Sequence, residues 1–184
     1  MKNGLNLLYL ARVEKEKGIY IALEAFKKLK NNRKDLVFSI AGDGTELKNV
    51  IAWVEHENIP DVKILGHLTG NQISDSFLEA DIYLFPTFYK EGLPTSVLEA
   101  MAFGLPVITR PVAGIKDIFV NGEMGMLIES VSPDDFANAI SDLMNNPATM
   151  IRIGKYNSQH AKQHYYGPKV AERIESVYES IAKN

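Results

Sequence analysis

The sequence predicts an α/β fold: a doubly wound, Rossmann-like parallel sheet of about six strands with helices on both faces. Three observations carry that prediction. The strand candidates are continuously apolar, as in "LNLLYLA" and "DIYLFP", which fits strands covered on both faces. Segments with a helical apolar period separate them, as crossover helices of a parallel sheet would. Turn-forming residues fall at strand ends, with Gly42 closing "LVFSIAG" and Pro86 stopping "DIYLFP". The 184 residues suit one domain with a full-sized core, and no repeat, low-complexity segment or linker divides them.

Each element follows from local pattern. "LNLLYLA" (5–11) reads as a buried strand, and 18–30 as a helix whose stripe is Ile19, Ala22, Leu23, Phe26 and Leu29. A strand over 36–42, a helix over 45–58, a shorter strand over 62–66 and a helix over 71–80 come next. The strand 81–86 leads to a helix near 94–103, for which Pro94 suits the first position because its missing N–H is no loss there. On a helical wheel Val97, Leu98, Met101 and Ala102 share one side, and Glu99 lies opposite with Thr95 and Ser96. "PVITR" (106–110) and "GMLIE" (125–129) are strands around a short helix near 114–120. Helices near 133–145, 148–165 and 168–182 close the chain. In the last, Val170, Ile174, Val177 and Ile181 form an apolar stripe that needs cover.

Composition removes several function classes. A formal charge of −3, from 20 basic and 23 acidic residues, gives no nucleic-acid or membrane surface, so any anion site must be local. With no cysteine there is no disulfide, thiolate zinc site or cysteine nucleophile. His160 and His164 are four apart but lack the intervening glutamate of a zinc-protease helix, so they read as structural or surface residues. No apolar run approaches the ~18 residues of a membrane span. The start, "MKNGLNLLYLARVEKEK", lacks a small-residue cleavage site, so a cytoplasmic protein is the expectation.

A doubly wound sheet binds ligands outside the carboxyl ends of its strands, so the loops after strands matter most. The first, "ARVEKEKG", sets Arg12 and Lys17 between a strand end and a helix start. A lysine beside a helix N-terminus is mildly unfavourable until an anion binds; amides, Arg12 and Lys17 would then converge on it. The plainer reading is a solvated loop with Glu14, Lys15 and Glu16. The second loop, "AGDGTEL", holds Gly42 and Gly44 in a tight turn able to bring backbone near a ligand. As a dinucleotide fingerprint it is incomplete: Leu47 stands at the third glycine position, and no acidic residue ends the following strand to take a ribose.

The stretch "EGLPTSVLE" places Glu91 and Glu99 eight positions apart around the helix start. Free N–H groups of Thr95 and Ser96 would meet a phosphate, and the Glu99 carboxylate is a suitable bidentate acceptor for vicinal ribose hydroxyls. Glu91 would receive hydroxyls or lie beside a developing positive charge. The alternative is an ordinary solvent-facing glutamate at 99.

Taken in order, "LLYLARVEKEKG", "AGDG", "LGHL", "EGLPTSVLEAMAFGLPVI", "AGIKDIF" and "GEMGMLIE" resemble the C-terminal, nucleotide-binding domain of retaining GT-B glycosyltransferases of the group 1 family, which carries an E-x7-E motif. The resemblance covers nearly the whole chain. It implies that Arg12 and Lys17 bind the donor's pyrophosphate and assist its departure, and that Glu99 holds the ribose. It implies that Glu91 contacts the transferred sugar near the reacting carbon, as nucleophile or stabiliser. Gly66, His67 and Leu68 would lie by the nucleobase, and Gly42, Gly44, Gly92, Leu93, Thr95 and Ser96 would complete the donor site. No Asp-x-Asp motif occurs, in keeping with metal-independent transfer, and no cofactor is expected beside a UDP-, GDP- or ADP-linked sugar substrate. Departures from the family pattern are Pro94 for a frequent glycine, Ala113-Gly114 for a glycine pair and Asp117 for glutamate.

The resemblance also implies a second, N-terminal Rossmann domain that binds the acceptor, for which nothing here corresponds. The expectation is therefore a single donor-binding domain over 1–184, one half of a GT-B fold, inactive alone, from an enzyme of the cytoplasm or the inner face of a membrane. Helix 168–182, which in that family packs on the N-terminal domain, would be the least settled element or be covered by a second copy. Two rivals stand beside this reading. One is a nicotinamide-dependent oxidoreductase domain, weakened by the missing third glycine. The other is a non-catalytic interaction domain, which would not need Arg12, Lys17, Glu91 and Glu99 together.

Overall fold

The computed structural model describes residues 4–90, 92–112 and 114–182; Glu91 and Ala113 lie outside the described residues. Six strands form one parallel sheet in the order β3-β2-β1-β4-β5-β6. The strands are β1 (Leu5–Leu10), β2 (Leu36–Ala41), β3 (Val62–Gly66), β4 (Ile82–Phe85), β5 (Val107–Thr109) and β6 (Gly125–Leu127). The helices are α1 (Ile19–Lys30), α2 (Leu47–His56), α3 (Asn71–Glu79), α4 (Thr95–Ala102), α5 (Ile115–Ile118), α6 (Pro133–Met144), α7 (Pro147–His164) and α8 (Gly167–Ala182). This is the doubly wound order, with its switch point between β1 and β4.

The central strands are largely apolar because helices cover both faces. Leu7, Leu8 and Tyr9 of β1 and Ile82 to Phe85 of β4 are all buried. On one side α1 packs against α6, and Lys27 of α1 reaches the Trp53 ring and the Glu57 carboxylate at the end of α2. On the other, α4 packs against α7, and Phe77 of α3 stacks on Phe103 at 5.2 Å. β3 is an edge strand, and it alternates, with Lys63 and Leu65 exposed.

One detail differs from the sequence reading. The buried face of α4 is Val97, Ala100 and Met101; Leu98 is half-buried and Ala102 exposed. The wheel rotates because α4 faces β4 and β5 on one flank and α7 on another. Lys30, at the solvent end of α1's pattern, is buried; its ammonium donates to the carbonyls of Lys34 and Leu36 at 2.8 Å and pairs with Asp61.

α8 buries none of its residues, and its stripe is uncovered by the described residues, Ile181 being 65% exposed. Across the elbow between α7 and α8 the Arg173 guanidinium donates to the His164 carbonyl. With few buried contacts, α8 should exchange its amide hydrogens faster than β1 and β4. Equal protection in a hydrogen-exchange measurement would make the stripe part of this domain's core.

Candidate functional site

Two buried tyrosines frame the switch point from below. The Tyr9 hydroxyl donates to the Arg12 carbonyl at 3.0 Å, and that of Tyr83 donates to the Leu10 carbonyl at 2.9 Å. The loop after β1 is thereby fixed from both switch-point strands. Beyond Arg12 it winds into one 3₁₀ turn, Lys15–Lys17, ended by Gly18 at φ 81. Gly18 is required twice: that φ disfavours side chains, and a Cβ there would lie 2.2 Å from the Pro86 carbonyl oxygen. The β1 and β4 loops therefore touch.

The same loop is stitched to the loop after β2. Val13 N–H donates to the Asp43 carbonyl at 2.9 Å, and Glu46 N–H donates to the Val13 carbonyl at 3.1 Å. A Cβ on Gly42, at φ 135, would sit 1.9 Å from the Ala11 carbonyl oxygen. The Gly42-x-Gly44 spacing thus serves close approach of this chain's own backbone. Glu14 accepts from the Thr45 hydroxyl at 2.7 Å, which holds its carboxyl below the ordinary value. Burial, followed by donation to Glu46 at 2.5 Å, pushes the Tyr20 phenol up to about 12.

Lys17 emerges from this frame only 8% exposed, its ammonium 4.6 Å from the centroid of the Tyr89 ring. Arg12 is exposed, and its guanidinium makes no hydrogen bond or ion pair within the described residues; its charge helps lower Glu14. A cavity of about 420 Å³ opens beside it, lined among others by Arg12, Gly42, Asp43, His67 and Leu68. The structure thus brings Arg12, Gly42, His67 and Leu68 together, with Gly44 one residue beyond. Gly66 anchors the group, its carbonyl accepting from Gly42 N–H at 2.7 Å.

α4 begins after Pro94 with no side-chain cap, leaving the amides of its first turn without side-chain partners among the described residues. Thr95 and Glu99 share an exposed face, and Ser96 is half-buried beside them. Gly92 and Leu93 are exposed just before the helix, with the Gly92 carbonyl accepting from Gly114 N–H at 3.1 Å. Thr95, Leu98 and Glu99 line a second cavity of about 820 Å³, shared with Ser158 and Lys162 of α7 and with Tyr165 at the α7–α8 elbow. Glu91 was the other predicted carboxylate and lies outside the described residues.

The elbow cavity and Tyr89 were not among the sequence-predicted site features. Tyr89 had a signal, an aromatic residue two positions before Glu91; the elbow depends on a long-range packing of α7 on α4. The His160 and His164 rings lie 4.3 Å apart next to Tyr156 and Tyr165, and burial first, then His164, lowers the His160 pKa. No group of three or more His, Asp or Glu able to hold a metal occurs among the described residues. Nor is any described helix long and apolar enough to cross a membrane.

Strand order and loop placement define a doubly wound, Rossmann-like α/β domain whose polar loops gather at the switch point. The profile of the glycosyl transferases group 1 family matches residues 2–160, and the chain belongs to that family. A glycosyltransferase of Methanocaldococcus jannaschii, itself uncharacterized, is 26% identical over 95% of this chain and 48% of its own length. The glycogen synthase of Mycobacterium tuberculosis is 28% identical over 94% of this chain and 42% of its own. The chain therefore spans about half the length of the curated relatives it matches. Among solved structures, Anabaena Alr3699/HepE in complex with UDP superposes with a TM-score of 0.86 at 20% identity, over 97% of this chain and 49% of that one. The C-terminal domain of the group 1 protein LpcC from Francisella tularensis gives 0.78 at 22% identity, over 88% and 86%.

Proposed function

We propose that this chain is the donor-binding half of a retaining GT-B glycosyltransferase, which moves a sugar from a nucleoside diphosphate to an acceptor hydroxyl without a metal ion. The observation that carries the proposal is the meeting, at the β1/β4 switch point, of the Arg12–Lys17 loop with the loop that leads into the uncapped N-terminus of α4. Two cations and a helix N-terminus are a suitable set for a diphosphate. Anabaena HepE, whose fold matches, has been solved with UDP and with UDP-glucose.

In this reading the C–O bond to the leaving diphosphate breaks through an oxocarbenium-like transition state. Arg12, Lys17 and the Thr95 and Ser96 amides neutralise the charge that collects on the diphosphate, the task a metal performs elsewhere. Glu91 would lie near the reacting carbon and Glu99 on the ribose, with Gly66, His67 and Leu68 by the base. The acceptor hydroxyl attacks from a second, N-terminal half, against which the uncovered stripe of α8 would pack. Holding both reactants in register is essential to transfer, so the donor half alone should turn over no substrate.

Glu99→Ala tests the ribose assignment. It should cost about 1.5–3 kcal/mol of nucleoside diphosphate affinity, the range for a hydrogen bond to a charged group. Because Glu99 is exposed, the melting temperature should hardly move. Unchanged affinity in calorimetry would remove Glu99 from the site, and a large fall in melting temperature would make it structural.

A further inference from the structure

We propose that Tyr89 is a positioning residue: its ring holds the Lys17 ammonium at the switch point, aimed at the leaving diphosphate. The inference rests on the donor-site reading of Lys17 given above. Lys17 is a long side chain that ordinarily samples many rotamers, and here the residue is only 8% exposed. The face of an aromatic ring carries partial negative charge, and the Tyr89 ring centroid lies 4.6 Å from Nζ, within cation–π range.

The two residues are also locked together through the backbone. The Glu16 carbonyl, one residue before Lys17, accepts from Phe88 N–H at 2.9 Å, from Tyr89 N–H at 3.1 Å and from the Thr87 hydroxyl at 3.3 Å. Thr87 is fully buried, and its hydroxyl oxygen also accepts from Tyr89 N–H at 3.3 Å. Three donors of the β4 loop thus converge on the carbonyl beside Lys17. The backbone at position 89, from which the ring projects, can move little without moving that turn. Tyr89 itself is 48% exposed, so its role is not to fill the core.

A double-mutant cycle tests this. Chemical-shift titration, which reads millimolar affinities, is run with UDP, GDP and ADP on wild type, Tyr89→Leu, Tyr89→Phe, Lys17→Ala and the Tyr89→Leu/Lys17→Ala pair. For whichever nucleotide wild type binds most tightly, Tyr89→Leu should weaken binding about five- to tenfold, the size of a partly desolvated cation–π contact. Tyr89→Phe should restore affinity to within about twofold, because a phenyl ring keeps the face. In the Lys17→Ala background Tyr89→Leu should cost nothing more. A Tyr89→Leu loss of equal size in that background, from a disturbed fold or a direct ring–ligand contact, overturns the positioning role. So does a Tyr89→Leu affinity equal to wild type while Lys17→Ala is impaired; the donor-site reading then survives alone. If Lys17→Ala binds as wild type does, or wild type binds none of the three, the donor-site reading falls and this role falls with it.

Discussion

Replacing Arg12 and Lys17 together with alanine should weaken nucleoside diphosphate binding by about 100-fold or more. Each removes a hydrogen bond to an ionised partner worth about 1.5–3 kcal/mol, and ~1.4 kcal/mol is a factor of ten. Arg12 is exposed and screened by solvent, so its share belongs at the low end. Lys17 is buried against Tyr89 and should carry more. Affinity for the parent nucleoside, which has no phosphate, should not change. A calorimetric comparison of nucleoside and diphosphate reads both numbers. A double variant that loses affinity for both ligands equally has damaged the fold, and one that loses neither leaves the pyrophosphate elsewhere.

The second large effect is on stability. Gly18→Ala should lower stability by about 2 kcal/mol or more, since a left-handed conformation alone costs a side chain roughly 1–2 kcal/mol. The added Cβ also meets the Pro86 carbonyl oxygen at 2.2 Å, so the loops of β1 and β4 must part. For a chain of this size the melting temperature should fall by about 4–8 °C, and diphosphate affinity should fall with it because Lys17 directly precedes Gly18. A variant that melts with wild type would mean the two loops are free to separate, and the switch point would not be the rigid frame described above.

The elements were legible because pattern and topology agree. Continuous apolar runs such as Leu7 to Tyr9 and Ile82 to Phe85 occur where a strand is covered on both faces, and the helices between them keep one stripe each. The cationic loop was legible for a related reason: a strand end followed by Arg12 and Lys17 marks the side of the sheet that binds ligands. What the sequence could not supply were facts of packing between distant segments. The rotation of α4 depends on α7, some fifty residues later, and so does the elbow cavity beside Glu99. The burial of Lys30 depends on the Lys34 carbonyl in the turn before β2 and the Leu36 carbonyl at its start. The need for glycine at 42 and 44 looked like approach to a ligand; in the fold, the nearest atoms to a side chain there belong to Ala11 and Val13.

The central claim is a metal-free diphosphate site at the β1/β4 switch point. Its most direct measurement is calorimetric titration of this chain with UDP, GDP and ADP in EDTA, repeated with magnesium. The account predicts weak but saturable binding of at least one of the three in EDTA, with the same affinity when magnesium is present. Binding that appears only with magnesium or manganese would contradict it, because Arg12, Lys17 and the α4 amides would then not suffice to hold the diphosphate.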